Sequence, residues 1–386
     1  MKALIVGENI DLIMPTSGLL ARSGFKIDLV TNKKILRHLK TIGSFHYFNP
    51  LSNWINQSNK SLSNYDLIVV CDDPTLKKIL DSPLSESEKI KLLPVISESN
   101  MHHLCSKIEL SKTFSATNVL TPPFFVLNKY EDIENINSKI KFPALLKIDF
   151  SGGGYGVFEC ADCNDVQNTI KNKLINYPVL IQEKIEGALL DLSGFYQAGK
   201  LIFFSYSQIA GVVRNQFGPS TVRHYKKINA LSSDVFDELV HLGQVLGANG
   251  FVNIGCIESS INNKRYYFEA DMRPNVWVEY AKYFEDDPAI RIKNYFNEGA
   301  VLKSKFMNQS SQDVFLMPFL PRLNWSEILL NKYNCWNYFS NYIGLHLLWL
   351  LTVDRIRIAT LIVNHIKPHI PNLLWRRLKK LSQKFI

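Results

Sequence analysis

Lys147 stands in an otherwise apolar stretch, Leu145-Leu146-Lys147-Ile148, and a glycine cluster follows closely, Ser151-Gly152-Gly153-Gly154-Tyr155-Gly156. Glycines carry no Cβ, so the amides of Gly152, Gly153 and Gly154 can approach a polyphosphate closely. The cluster lies between two expected strands, unlike a P-loop, which opens a helix and ends in Gly-Lys-Ser/Thr. An ammonium buried in a strand is costly without a partner, and a phosphate held by the loop would supply one. Strand alternation offers the plainer alternative, a lysine directed to solvent. Further along, Glu258 and Glu269 are expected on paired strands, with Asp271 just beyond. Period-two geometry puts Glu269, Asp271 and Arg273 on one face if the strand continues. Carboxylates on adjacent strands repel unless a cation neutralises them, and magnesium bound through a few carboxylates and nucleotide phosphates answers that need. A solvated, charged hairpin face is the alternative.

The elements that must position these residues are legible as apolar runs. Residues 3–6, 27–30 and 67–70 read as strands of parallel-sheet character, buried on both faces, with a helix before Gly24. Gly7 ends the first run, but no G-x-G-x-x-G follows, so a Rossmann-like topology without its dinucleotide is expected. From residue 101 the pattern changes to α+β. Helices are expected over 106–117, 131–138 and 233–246. Strands are expected over 124–127, 144–148, 157–160 and 179–182. The runs 189–196 and 201–206 form a hairpin around Ala198-Gly199, and 254–259 pairs with 265–270 around Asn262-Asn263.

The chain of 386 residues suits two or three domains, and its 46% apolar and 20% charged residues exclude disordered, collagenous and disulfide-scaffold classes. The net charge of +9 is uneven. Residues 341–386 hold eight basic residues and one acid, leaving 36 basic against 34 acidic elsewhere. That near-neutral body argues against a nucleic-acid partner. The six cysteines are dispersed, and the one C-x-x-C, Cys160 and Cys163, lacks a second ligand pair, so small residues at a strand end are favoured over a zinc or redox site. The N-terminal apolar stretch is too short for a signal peptide, and a reduced, cytoplasmic protein is expected.

Taken together, these pieces resemble the ATP-grasp superfamily, in its carboxylate–amine ligase type, such as biotin carboxylase, carbamoyl-phosphate synthase and D-alanine–D-alanine ligase. Phe142-Pro143-Ala144-Leu145-Leu146-Lys147 and the glycine cluster resemble its lysine strand and phosphate lid. Lys112, in Ser111-Lys112-Thr113-Phe114, matches its earlier ATP-contacting lysine. Val179-Leu180-Ile181-Gln182-Glu183-Lys184-Ile185-Glu186-Gly187 resembles the adenine hinge, and Phe268-Glu269-Ala270-Asp271-Met272-Arg273-Pro274-Asn275 resembles the metal motif. The likeness covers residues 1–300 and departs in two places. Asp271 replaces the motif's usual Asn, and Leu189-Leu190 stand near the place of the ribose-binding Glu, with Asp191 the nearest acid.

The resemblance implies a Rossmann-like domain (1–100) and a two-lobed ATP-grasp domain (101–305, lid lobe about 120–185), and the residues after them are expected to form a helical, basic C-terminal region (306–386). It implies ATP and magnesium as cofactors, with manganese as a substitute. Lys112, Lys147, Ser151, Gly152, Gly153, Gly154, Gln182, Glu183, Lys184, Ile185 and Asp191 would contact the nucleotide. Glu258, Glu269 and Asp271 would hold metal. Arg273 and Lys147 would serve catalysis, with Arg214 meeting the acceptor. The implied reaction activates a carboxylate as an acylphosphate and joins it to an amine, both small molecules. Alternatives are a degenerate ATP-binding module regulating a membrane or partner, and an ATP-grasp phosphotransferase.

Beyond residue 305 the likeness stops. Residues 333–353 carry no formal charge, but polar residues dilute them, which favours a packed or interfacial helix over a span. In residues 371–386 Leu373, Leu374, Leu378, Leu381 and Phe385 recur at helical spacing opposite five basic residues. Such a helix suits an anionic inner membrane surface or an acidic protein partner, or equally packs on its own domain.

Overall fold

The computed structural model describes residues 1–57, 62–213, 217–284, 286–303, 314–319, 322–323, 325–330 and 332–333. The first sheet comprises β1 (Lys2–Val6), β2 (Lys26–Thr31), β3 (Ile42–Tyr47) and β4 (Leu67–Val70), all parallel in the order β3-β2-β1-β4. Ala3, Leu4, Ile5 and Val6 are all buried, as a central strand covered on both faces requires. Helix α1 (Ile10–Arg22) follows β1, short α2 (Ser52–Ile55) precedes β4, and α3 (Asp73–Leu80) and α4 (Glu86–Ile90) follow it. Gly24, at φ +90, ends the α1 segment where a side chain would be strained. At the carboxyl end of this sheet the Asp72 carboxylate accepts the amides of Glu8 (2.6 Å) and Asn9 (2.9 Å) and caps α3 through Thr75 (2.9 Å). An acidic side chain thus takes the turn amides that a dinucleotide-binding protein offers to phosphate.

Helix α5 (Lys107–Ala116) leads to a four-stranded antiparallel sheet ordered β5-β8-β6-β7. Its strands are β5 (Phe124–Leu127), β6 (Ala144–Ile148), β7 (Val157–Cys160) and β8 (Val179–Glu183). Helix α6 (Cys163–Lys173) and a 3₁₀ helix (Tyr130–Ser138) cover it, the latter where an α-helix is expected from sequence. Its core is separate from that of the other sheets and includes Leu127, Ile136, Leu146, Val166 and Ile181. Cys160 is buried and free, and the free Cys163 thiol donates to Asn137 Oδ1 at 3.1 Å.

The third sheet is antiparallel, ordered β13-β12-β9-β10-β11-β14. It contains β9 (Gly187–Gln197), β10 (Lys200–Val212), β11 (Ser220–Lys226), β12 (Gly250–Ser259), β13 (Arg265–Asp271) and β14 (Val314–Pro318). Helices α7 (Ser233–Val245) and α8 (Pro288–Glu298) pack on β10, and a five-residue α9 (Trp325–Leu329) comes last among the described residues. The apolar residues of this sheet and the parallel sheet form one continuous core. No helix of the described residues is long and apolar enough to cross a membrane. Residues 334–386, with both C-terminal expectations, lie outside the described part.

Candidate active site

Lys147 lies on β6 and is buried, 6% exposed. It donates to Gln182 Oε1 on β8 at 2.6 Å, and its ammonium sits 4.7 Å from the ring centre of Phe268 on β13. It thus joins the small sheet to the large one. Burial pushes its pKa down to about 8, with Glu269 pulling it back up and Lys107 adding to the depression. Gln182 is itself 1% exposed, and its Nε2 has no hydrogen-bond partner.

The glycine loop starts where β6 ends. Ile148 N–H donates to Gly156 O at 2.8 Å, and the Ser151 hydroxyl donates to Ile148 O at 3.0 Å. Gly153 and Gly154 have φ of +61 and +78, and a Cβ on Gly152 would meet nothing within 4 Å. A Cβ on Gly154 would lie 2.0 Å from the carbonyl oxygen of Phe217, so the loop tip rests on the turn entering β11.

The lysine at the root of this loop is Lys107. Its ammonium donates to Asp149 O (3.0 Å), Ser151 O (2.5 Å) and Ser151 Oγ (3.2 Å). Asp149 in turn accepts from Ser106 Oγ at 3.0 Å and from Ile108 N at 2.9 Å, fixing the start of α5 against the loop. Lys112, the sequence expectation, is exposed and pairs with Glu109 at 2.8 Å. Five residues along a helix rotate a side chain by about 140°, so the two lysines cannot share a target. The available signal was the cap: only the lysine next to N-cap Ser106 lies in the first turn.

Along the hinge, Glu183 N–H donates to Pro123 O and Lys184 N–H to Pro143 O, while Glu183 Oε1 accepts from Lys141 N at 2.8 Å. Lys184 pairs with Glu159 at 2.9 Å, and Ile185 is half-buried. At Gly187 a Cβ would meet Glu258 O at 2.1 Å, so only glycine lets β9 approach β12 here.

The hairpin of β12 and β13 separates the three expected metal ligands. Glu269 lies opposite Gly255 and Asp271 opposite Asn253, with a register irregularity after Gly255. Glu258 points to the other face of β12. There it meets Arg265 at 3.4 Å, whose guanidinium also binds Glu238 (2.6 Å) and Asp234 of α7. Glu258 therefore does not join Glu269 and Asp271, and the position facing Glu269 is a glycine. A Cβ there would meet Phe268 Cζ at 3.1 Å and Glu269 Cβ at 3.2 Å. Among the described residues no three acidic, His or Cys side chains gather as a metal cage.

Arg273 donates from Nε to Asp73 Oδ1 and from Nη2 to Asp271 Oδ2, each at 2.8 Å. Asp73, the first residue of α3, was not expected from sequence. It follows the carboxyl end of β4, the edge where open α/β sheets bind ligands. Burial pushes the Asp271 carboxyl above the usual range; Glu269 and Asp73 add to this and Arg273 opposes it.

Asp191, the expected ribose acceptor, is instead a buried partner of Arg223, whose two terminal nitrogens donate to it at 2.6 and 2.8 Å. Asn253 Nδ2 adds a third bond at 3.1 Å. An unpaired carboxylate here would be costly, and Arg223, reaching from β11 across β10, satisfies it. The Arg223 guanidinium also lies 4.6 Å from the Trp277 ring centre. Trp277 is 1% exposed and packs on Tyr225, Tyr280 and Phe319. Arg214 lies outside the described residues.

No protein-family model and no curated protein sequence matches the chain. Solved structures do. N5-carboxyaminoimidazole synthetase from Staphylococcus aureus superposes with a TM-score of 0.62 at 14% identity, over 88% of this chain and 86% of that one. The biotin carboxylase domain of Hydrogenobacter thermophilus 2-oxoglutarate carboxylase, in complex with MgADP, ADP and bicarbonate, gives 0.58 at 15%, over 78% and 70%. L-amino acid ligase from Bacillus licheniformis gives 0.56 at 14%, over 79% and 75%.

Proposed function

We propose that this chain, which has the ATP-grasp fold, is an ATP-dependent ligase that activates a substrate carboxylate as an acylphosphate and joins it to an amine. The observation that carries this reading is the cradle in which Lys107, the glycine loop and buried Lys147 converge opposite Glu269. The solved neighbours include ligases and ADP complexes, which supports it. The residues present suit the nucleotide. Lys147 is a desolvated cation with only neutral hydrogen-bonding company, Gln182 Nε2 is a buried donor without an acceptor, and Gly152 faces open space. Magnesium would fall to Glu269 and Asp271, with phosphate oxygens completing its shell.

MgATP, when bound, supplies the phosphoryl group and the divalent charge that tempers it. Lys107 and Lys147 would neutralise phosphate oxygens, and the glycine amides would hold them while the loop excludes water. Arg273, steadied by Asp73, would present its remaining donor to the acyl-phosphate oxygens. The amine then attacks the acyl carbon and phosphate leaves. No protein nucleophile is needed.

The test is ADP and phosphate release by the full chain, screened with amino acids, small peptides and polyamines, with products identified by mass spectrometry. Turnover with one acid–amine pair is expected, lost by about 100-fold or more in Lys147→Ala. The reading fails if no pair makes the wild type exceed Lys147→Ala and Glu269→Ala. One observation favours a second reading, a nucleotide-binding module without catalysis: Gly255 occupies the place facing Glu269. It predicts tight MgADP binding with no turnover by any pair.

A further inference from the structure

Arg322 lies just beyond β14 and is half-buried. Its Nη1 donates to Ser220 O at 2.9 Å, and its guanidinium rests 4.8 Å from the Phe319 ring centre. Ser220 serves a second arginine as well, since Arg223 Nε donates to the Ser220 hydroxyl at 3.0 Å. Two guanidinium groups thus converge on one residue. Only one is neutralised: Arg223 holds the Asp191 carboxylate, whereas among the described residues no carboxylate lies within ion-pair distance of Arg322. Burial and the neighbouring Arg223 push its pKa down to about 10, opposed by Asp11 on α1 and by Tyr280. A partly desolvated cation beside a second guanidinium is stabilised by an anion.

Its position relates to the reaction centre through two connections. Ser220 follows the turn whose Phe217 carbonyl meets the glycine loop at Gly154. From Arg223 a hydrogen-bonded track runs through Asp191 and Asn253 to Asn275, two residues from Arg273.

We propose that Arg322 binds a second anionic group, a carboxylate or a phosphate, on the substrate acid or amine, with Ser220 fixing the guanidinium. Its role for a substrate rests on the ligase reading; the anion site itself does not. A guanidinium fork suits both oxyanions, and a lysine at this place would replace the fork by a point charge.

The experiment is thermal melting of the full chain under saturating MgADP, which fills the nucleotide's own phosphate positions. Succinate and inorganic phosphate are titrated separately against sodium chloride of equal ionic strength. The wild type should be stabilised by at least one probe beyond chloride, and which one responds separates a carboxylate site from a phosphate site. Arg322→Gln should weaken that probe by about tenfold, and Arg322→Lys by less, while both keep the MgADP shift. If Arg322→Gln shows no cooperative transition, Arg322→Lys decides: an affinity equal to wild type counts against the site. The proposal is overturned if neither probe stabilises the wild type beyond chloride, or if the variants respond as it does. Absence of a MgADP shift would instead tell against the ligase reading, and is read separately.

Discussion

Lys147 concentrates the physical chemistry of the site in one side chain. Its pKa of about 8 lies below the ordinary 10.5 because water is excluded from it. Below pH 8 the ammonium is charged in both folded and unfolded chain, so the folded state carries the desolvation cost. Between the two values the unfolded chain binds more protons, and stability rises with pH as the native lysine goes neutral. A phosphate brought against Lys147 reverses the shift, because an opposite charge favours the ammonium. MgADP binding near pH 9 should therefore take up a proton, approaching about one per chain. Calorimetry in two buffers of different ionisation enthalpy measures this, and Lys147→Met should abolish it. Equal uptake by the variant would place the nucleotide phosphates elsewhere. The lysine was legible in the sequence, because a cation amid Leu145, Leu146 and Ile148 demands explanation. Lys107 was marked only by its place beside the helix cap, since its role depends on Asp149 holding the start of α5 beside the loop.

At the scale of elements, the strands were readable as apolar runs, but their faces depended on register. Glu258 and Asn253 differ by an odd number of positions, so they must point oppositely along β12, whatever pairs with them. The irregularity between Gly255 and Cys256 then decides which residue of β13 faces each, and no composition pattern announces it. The glycine loop shows a comparable division of labour. Gly152 faces open space, whereas Gly154 has φ +78 and touches the Phe217 carbonyl. Gly154→Ala must move the loop off the turn before β11, adding a clash to a left-handed backbone penalty of about 1 kcal/mol. Amide exchange over residues 151–156 should quicken by about tenfold in Gly154→Ala. Gly152→Ala should leave it near the wild-type rate. Equal exchange in the two variants would mean that the loop is not held by this contact.

For the whole molecule, the decisive contacts join regions far apart in the chain, which is why sequence patterning could not reveal them. Arg273 reaches Asp73 across 200 positions, and Arg22 of α1 meets Glu279 at 3.1 Å and Asp287 beside α8. Both sets of ion pairs tie the parallel sheet's region to the large sheet, yet they should differ in function. The Arg22 set is more exposed, and Arg22 itself pairs with Glu279 and Asp287 rather than with a residue of the site, so Arg22→Gln should cost about 1 kcal/mol or less in stability and leave turnover alone. Asp73→Asn removes a charged acceptor from a largely buried guanidinium, costing about 1.5–3 kcal/mol. It also lets Arg273 swing toward Asp271, away from the position that Asp73 fixes. If that position presents Arg273 to the acyl phosphate, kcat should fall by about tenfold or more in Asp73→Asn with little change in MgADP affinity, because the lost contact acts after the nucleotide has bound. Melting curves of the two variants, set beside their kcat and MgADP dissociation constants, separate a tether from a positioning residue. Asp73→Asn with wild-type kcat would reduce Asp73 to a tether.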